Sequence, residues 1–157
     1  VGGSVANNDP AADYPAACVG LGATIKTNNR EVLADEFFTG LFETALNDGE
    51  VITSVSFPVP EKASYVKFPN PASRYALVGV FVSDGPMGIR VAVTGAGING
   101  IYRESNFESA LSGAWESAAL DGVKADESGM ISDIHAAADY RAHLVGEIAR
   151  RAVAASA

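Results

Sequence analysis

The residues best suited to chemistry cluster at the start of the sequence. Gly2-Gly3-Ser4 sets two backbones without side chains ahead of a hydroxyl, so successive N–H groups can close around an anion as a nest. Asn7 and Asn8 add amide donors and acceptors, and Asp13 adds a carboxylate that can accept from hydroxyls such as those of a ribityl or ribose chain. Read by itself, the Gly-Gly pair is equally an ordinary tight turn. Lys67, read by itself, is a solvated strand lysine. Elsewhere the sequence has no Ser/His/Asp spacing, no HExxH, no P-loop and no nucleophile elbow. Gly95-Ala96-Gly97 with Asn99-Gly100 comes nearest to a dinucleotide fingerprint. No βα unit follows it, so it reads as a flexible strand exit and disfavours Rossmann-style binding. The single Cys18 cannot form an internal disulfide or supply a thiolate cluster. His135 and His143 are eight residues apart, which on a helix turns them roughly 80° from each other. No metal site and no catalytic acid, base or nucleophile is expected from this chain.

These residues need elements to hold them. The chain has 157 residues, 48% hydrophobic and 19% charged, which suffices for a packed core in one ordinary domain or two small ones. No run of about 18 uncharged apolar residues occurs, so no integral membrane segment is expected. Eleven basic against 19 acidic residues leave a net charge of −8, a poor surface for nucleic acid or anionic membrane. The text begins Val1-Gly2-Gly3 without an initiator Met or a signal-peptide pattern, and reads as a piece of something longer.

Asn7-Asn8-Asp9-Pro10 reads as a turn, and Asp13 as the cap of a short helix through Ala16-Ala17. Strands are predicted at Gly22–Thr27 and Arg30–Ala34 across an Asn28-Asn29 turn, and at Val51–Phe57. Asp35 to Leu46 is mixed, with Phe37, Phe38, Leu41 and Phe42 at partly helical spacing. Pro58-Val59-Pro60 marks a boundary between residues 1–60 and 61–157. Beyond it, strands are predicted at Ser64–Phe68, Tyr75–Ser83 and Gly88–Thr94, then helices at Asn106–Leu111, Trp115–Leu120 and Asp133 to Ala154. In the last of these, Ile134, Ala137, Leu144, Val145, Ile148 and Ala152 recur at three- and four-residue steps. The fold class is α+β, with antiparallel strands and helices gathered toward the carboxyl end.

The whole string GGSVANNDPAADYPAA resembles the second flavin-binding segment of the FAD-carrying medium subunit of molybdenum hydroxylases, the family of aerobic carbon monoxide dehydrogenase medium chains and the xanthine dehydrogenase FAD domain. Three further stretches resemble the same family in the same order. They are the strand from Glu50 to Pro58, YVKFPNPASRYALVGV, and SDIHAAADYRAHLVGEIARRAV. The resemblance implies the end of a PCMH-type FAD-binding domain over residues 1–60, its second half, followed over 61–157 by a small antiparallel sheet with a helical layer, like the carbon monoxide dehydrogenase flavoprotein C-terminal domain.

Carried over position by position, the resemblance puts Gly2, Gly3 and Ser4 against the FAD pyrophosphate or adjacent ribityl. It puts Asn7 at a polar FAD contact, Asp13 on FAD hydroxyls, Ile52 beside the isoalloxazine, and Lys67 near the flavin from the C-terminal subdomain. A cation there would stabilise negative charge on the ring. Arg74 and Tyr75 are candidates to flank the ring, or else a core tyrosine beside an exposed arginine.

The resemblance further implies a cytoplasmic hetero-oligomer. A large partner would carry the molybdenum cofactor, a small partner [2Fe-2S] clusters, and FAD here would deliver electrons to a quinone, NAD or oxygen-type acceptor. Family members hold the other side of the FAD diphosphate with an earlier Gly-rich loop that this sequence does not contain, so the isolated chain is expected to bind FAD weakly or not at all and to be inactive alone. The rival expectation is a non-catalytic docking domain for partner subunits, with no bound flavin.

Overall fold

The computed structural model describes residues 1–156. The chain opens with α1 (Gly2–Asn7), a helix where the sequence suggested a nest or turn. Its backbone closes through Val5 N–H to the Val1 carbonyl, and it ends where Asn8 takes a left-handed conformation, with its N–H on the Ser4 carbonyl. Asparagine tolerates that conformation better than most residues. Gly2 costs helix propensity, and α1 packs there on Ile52, whose Cβ would be an ordinary 3.9 Å from a Cβ at position 2.

Helix α2 (Asp13–Leu21) runs four residues past the predicted end. It stops at Gly22, whose φ of 64° is the left-handed stop a glycine supplies, and Ala23 N–H returns to the Cys18 carbonyl. Ala12 rather than Asp13 is the N-cap, and no side chain caps this end. That frees the Asp13 carboxylate for other partners.

Strands β1 (Thr24–Thr27), β2 (Glu31–Leu33) and, later in the chain, β5 (Ile52–Ser56) form an antiparallel sheet in the order β2-β1-β5. Between β2 and β5 lie the single turn α3 (Ala34–Phe37) and a small hairpin of β3 (Phe38–Gly40) and β4 (Glu43–Thr44). The partly helical spacing of Asp35 to Leu46 thus resolves into one helical turn and a hairpin, because Phe37 alone is buried within it. Buried Asn8 holds that hairpin: its Nδ2 donates to the carbonyls of Gly40 at 2.7 Å and Glu43 at 2.8 Å.

The larger sheet has the order β6-β7-β8-β9, with β6 (Lys62–Pro69), β7 (Ala76–Asp84), β8 (Arg90–Thr94) and β9 (Tyr102–Arg103), all antiparallel. Side chains alternate faces along each strand. Val66, Val78, Val80, Val82, Val91 and Val93 join the core under the last helix, α5 (Ala138–Ala155), with Leu144, Val145, Ile148 and Ala152. Each fully buried valine contributes about 1.5–3 kcal/mol. Helix α4 (Ser105–Gly113) adds Phe107 and Leu111 to the same core.

Helix α5 begins five residues later than the periodicity predicts. The Asp133 carboxylate accepts the N–H groups of His135 and Ala136 and ties residues 133–136 into a turn, which leaves Ile134 96% exposed. Trp115–Leu120 yields only a 3₁₀ turn at Ser117–Leu120.

The opposite face of the larger sheet receives α2. Ser83 Oγ donates to the Gly20 carbonyl at 2.6 Å, buried Arg90 Nε donates to the Val19 carbonyl at 2.7 Å, and Thr94 Oγ1 lies 2.9 Å from the carbonyls of Pro10 and Ala12. The strand exit is packed too: Gly95 donates to the Pro10 carbonyl at 2.8 Å, and a Cβ at Gly95 would strike the Ala76 and Leu77 carbonyls. These bonds join residues before Pro60 to strands after it.

Candidate functional site

Where α2 begins, it meets β6. Tyr65 and Lys67 are two residues apart on one strand and so share the face that α2 covers. Both end on one carboxylate: Tyr65 Oη donates to Asp13 Oδ1 at 2.5 Å, and Lys67 Nζ to Asp13 Oδ2 at 2.8 Å. Tyr65 reaches across β7 because residue 79, the partner of Lys67 in the ladder, is glycine; a Cβ there would collide with the tyrosine hydroxyl and with Thr94. Burial, and then the hydrogen bond and negative charge of Asp13, push the Tyr65 phenol well above the usual tyrosine range.

Asp13 and Lys67 edge a cleft of about 560 Å³ lined also by Ser4, Ala12, Tyr14 and the Ser73–Tyr75 loop. The volume lies within the roughly 300–1,000 Å³ of small-molecule sites. Asn70 shapes the loop, accepting from Ala72 N–H at 2.9 Å while its backbone pairs with Arg74 and Tyr75. Arg74 is left-handed at φ 66°, a conformation that costs a non-glycine residue energy, and it stands exposed at the rim beside exposed Tyr75. Tyr14 and Tyr75 present aromatic faces, Lys67 and Arg74 positive charge, and Ser4 and Asp13 hydrogen-bonding oxygens. An anionic, hydroxyl-bearing ligand with a flat ring suits this mixture.

Of the residues singled out from sequence, Ser4, Asp13 and Lys67 meet in this cleft. Gly2 and Ile52 pack on each other outside its lining. Gly3 is exposed, with no atom within 4 Å of a Cβ built there, so its backbone is open to approach. Asn7 is exposed and does not line the cleft, whereas its neighbour Asn8 is committed to the hairpin. Sequence reasoning missed Tyr65. The Tyr-x-Lys alternation opposite a glycine in the next strand was the signal that could have found it.

Two residues before Ile52, Glu50 is buried. Its carboxylate accepts from Arg30 Nε at 3.0 Å, Thr27 Oγ1 at 3.0 Å, and Asn47 N and Nδ2 at 2.8 and 3.0 Å. The Arg30 and Asn47 hydrogen bonds hold the Glu50 carboxyl down to about 2. Among the described residues, no group of three or more His, Cys, Asp or Glu side chains is placed to hold a metal ion. No described helix is long and apolar enough to cross a membrane.

Residues 1–60 match the family of the FAD binding domain in molybdopterin dehydrogenase. The nicotine 6-hydroxylase medium subunit of Paenarthrobacter nicotinovorans is 33% identical over 98% of this chain and 59% of its own length. Over nearly its whole length the chain is similar to FAD-binding medium subunits of molybdenum hydroxylases. Another relative, the carbon monoxide dehydrogenase medium chain of Afipia carboxidovorans, is 28% identical over 98% of this chain and 58% of its own length. Among solved structures, the reconstituted CO dehydrogenase from Oligotropha carboxidovorans matches with a TM-score of 0.79 and 27% identity, over 98% of this chain and 59% of that chain. This chain thus spans about three fifths of the length of these medium-subunit relatives. The likeness runs through both sheets and the last helix, and the α+β fold is that of the CO dehydrogenase flavoprotein.

Proposed function

We propose that this chain is the flavin-carrying part of a molybdenum hydroxylase. It would pass electrons from [2Fe-2S] clusters on a small partner subunit through FAD to an external acceptor, in a cytoplasmic assembly whose large subunit bears the molybdenum cofactor. The observation that carries the reading is the convergence of Ser4, Asp13 and Lys67 in one cleft. The first two come from the segment that matches the FAD domain family, and the third comes from beyond it. On this reading residues 1–60 are the second half of the FAD-binding domain and 61–157 a C-terminal subdomain.

The residues present fit such a cofactor, because the cleft offers cations, hydroxyl partners and aromatic faces together. FAD, when bound, supplies the one- and two-electron redox chemistry. The chain supplies binding and electrostatics. Gly3 and Ser4 offer unobstructed backbone and a hydroxyl, Asp13 accepts from ligand hydroxyls, and Lys67 holds positive charge at the wall where negative charge gathers on the ring. Tyr14 and Tyr75 shield the flat face from water.

The test is the intact subunit produced with its partners. It should show flavin absorbance that bleaches when substrate is added, and Asp13→Ala should lower the flavin content of the purified complex severalfold. A colourless complex with full activity would instead favour a docking domain.

A further inference from the structure

Asp13 is engaged twice, and the two partners differ. The Lys67 pair is open to water, with side-chain exposures of 31% and 47%, and so open an ion pair is weak. The Tyr65 bond is exposed as well, but its donor is anchored. The ring stacks on Phe81 at a centroid distance of 6.3 Å, its hydroxyl occupies the space left by Gly79, and Tyr65 itself is not part of the cleft lining. The carboxylate thus has one fixed partner beneath the cleft and one exchangeable partner on its wall.

We propose that Tyr65 is a positioning residue of this cleft: seated over Gly79, it holds Asp13 in place so that Lys67 can leave the carboxylate for an anionic group of the bound flavin. The inference rests on the flavin reading above. Without the tyrosine hydroxyl, the departure of Lys67 would leave Asp13 with water alone, and the carboxylate would lose its fixed position. With it, one carboxylate oxygen remains bonded while the other is released, and Lys67 turns to the ligand with its charge unpaired. No atom is transferred; only the partner of the ammonium changes.

Tyr65→Phe keeps the ring and its stack and removes only the hydroxyl. In the intact subunit, titration of FAD into deflavinated protein should show binding weakened about five- to tenfold in Tyr65→Phe. Adding that change to Asp13→Asn should cost nothing further, since the tyrosine acts through the carboxylate. Gly79→Ala keeps the hydroxyl but occupies its seat, and should weaken FAD binding as Tyr65→Phe does. A flavin-independent readout is the ultraviolet titration of the phenol, assigned by difference from Tyr65→Phe. Its transition should move to lower pH in Asp13→Asn. FAD affinity within twofold of wild type in Tyr65→Phe or Gly79→Ala, multiplying losses in the double variant, or an unmoved phenol transition would each overturn the proposal. A wild-type subunit that holds no flavin would overturn the flavin reading and this inference with it. A flavin-loaded wild type beside a silent Tyr65→Phe would overturn the inference alone.

Discussion

Two glycines in two helices should respond to the same substitution with opposite signs. Gly20 lies near the end of α2, where a Cβ would fall inside the Phe81 side chain, 2.8 Å from Cγ and 3.0 Å from Cβ. The atoms nearest the backbone of Phe81 cannot swing away, so the helix or the strand must shift. Overpacking of this kind costs about 1–3 kcal/mol. An overlap that is closer still at Cδ1 belongs to the upper part of that range, about 2–3 kcal/mol, and alanine recovers at most about 1 kcal/mol of helix propensity, which leaves a net loss of about 1–2 kcal/mol. Gly146 sits in the middle of α5, and a Cβ there would meet only the Arg150 guanidinium at 3.9 Å, an ordinary contact. There the propensity gain stands alone, about 0.5–1 kcal/mol. At about 2–4 °C per kcal/mol for a chain of this size, Gly20→Ala should lower the thermal midpoint by about 2–8 °C, and Gly146→Ala should raise it by about 1–4 °C. Differential scanning calorimetry of the two variants decides the matter. A Gly20→Ala variant as stable as wild type would refute the claim that α2 is pressed onto β7 through a missing side chain.

Two further outcomes follow from side chains that bind backbone and charge. Glu50 titrates at about 2 in the folded chain against an ordinary value of 4.5, so its contribution is fully present above about 4.5 and is lost as pH falls toward 2. Glu50→Gln should therefore flatten the acid limb of a plot of melting temperature against pH and change little in its slope above pH 5; an unchanged acid limb would show that other groups drive acid unfolding. Asn8→Asp keeps the size of the side chain and its tolerance of φ 45°, but it replaces a donor with an acceptor facing the carbonyls of Gly40 and Glu43. A loss of about 2 kcal/mol or more is expected, with faster hydrogen exchange at the Phe42 N–H, which bonds to the Asn8 carbonyl. Equal exchange in both proteins would sink the clamp.

The parts of the fold that were legible in the sequence are those with an uninterrupted period. β7 and β8 announce themselves through valines on one face, and the body of α5 through Leu144, Val145, Ile148 and Ala152. Local competition hid the rest. Gly2-Gly3 argues for a turn by propensity, yet packing on Ile52 makes it a helix. Asp133 takes the amides that would have begun α5 at the predicted place. At the site, Ser4 and Asp13 stood out by type and Lys67 only through the family resemblance, and the fold brings the three to one cleft. Asn7 and Asn8 are indistinguishable by type, and only the hairpin overhead assigns Asn8 to structure. Tyr65 was hidden because its role depends on an absent side chain across the ladder, at Gly79.

Gly20 and Gly79 bound the same object. Phe81 fills the space before Gly20, Tyr65 fills the space over Gly79, and the two rings stack at an interplanar angle of 25° between α2 and the sheet. Phe81 meets α2 at its Gly20 end, and Tyr65, stacked on Phe81, carries the hydrogen bond to Asp13 at the helix's other end. Ser83 and Arg90 fasten the far end of α2 through the carbonyls of Gly20 and Val19, so the helix cannot slide to compensate. A change at either glycine should therefore be felt at the other end of the spacer. Gly20→Ala, remote from the cleft lining, should weaken the Asp13–Lys67 contact as well as the fold, whereas Gly146→Ala, on the opposite side of the sheet, should leave the cleft untouched.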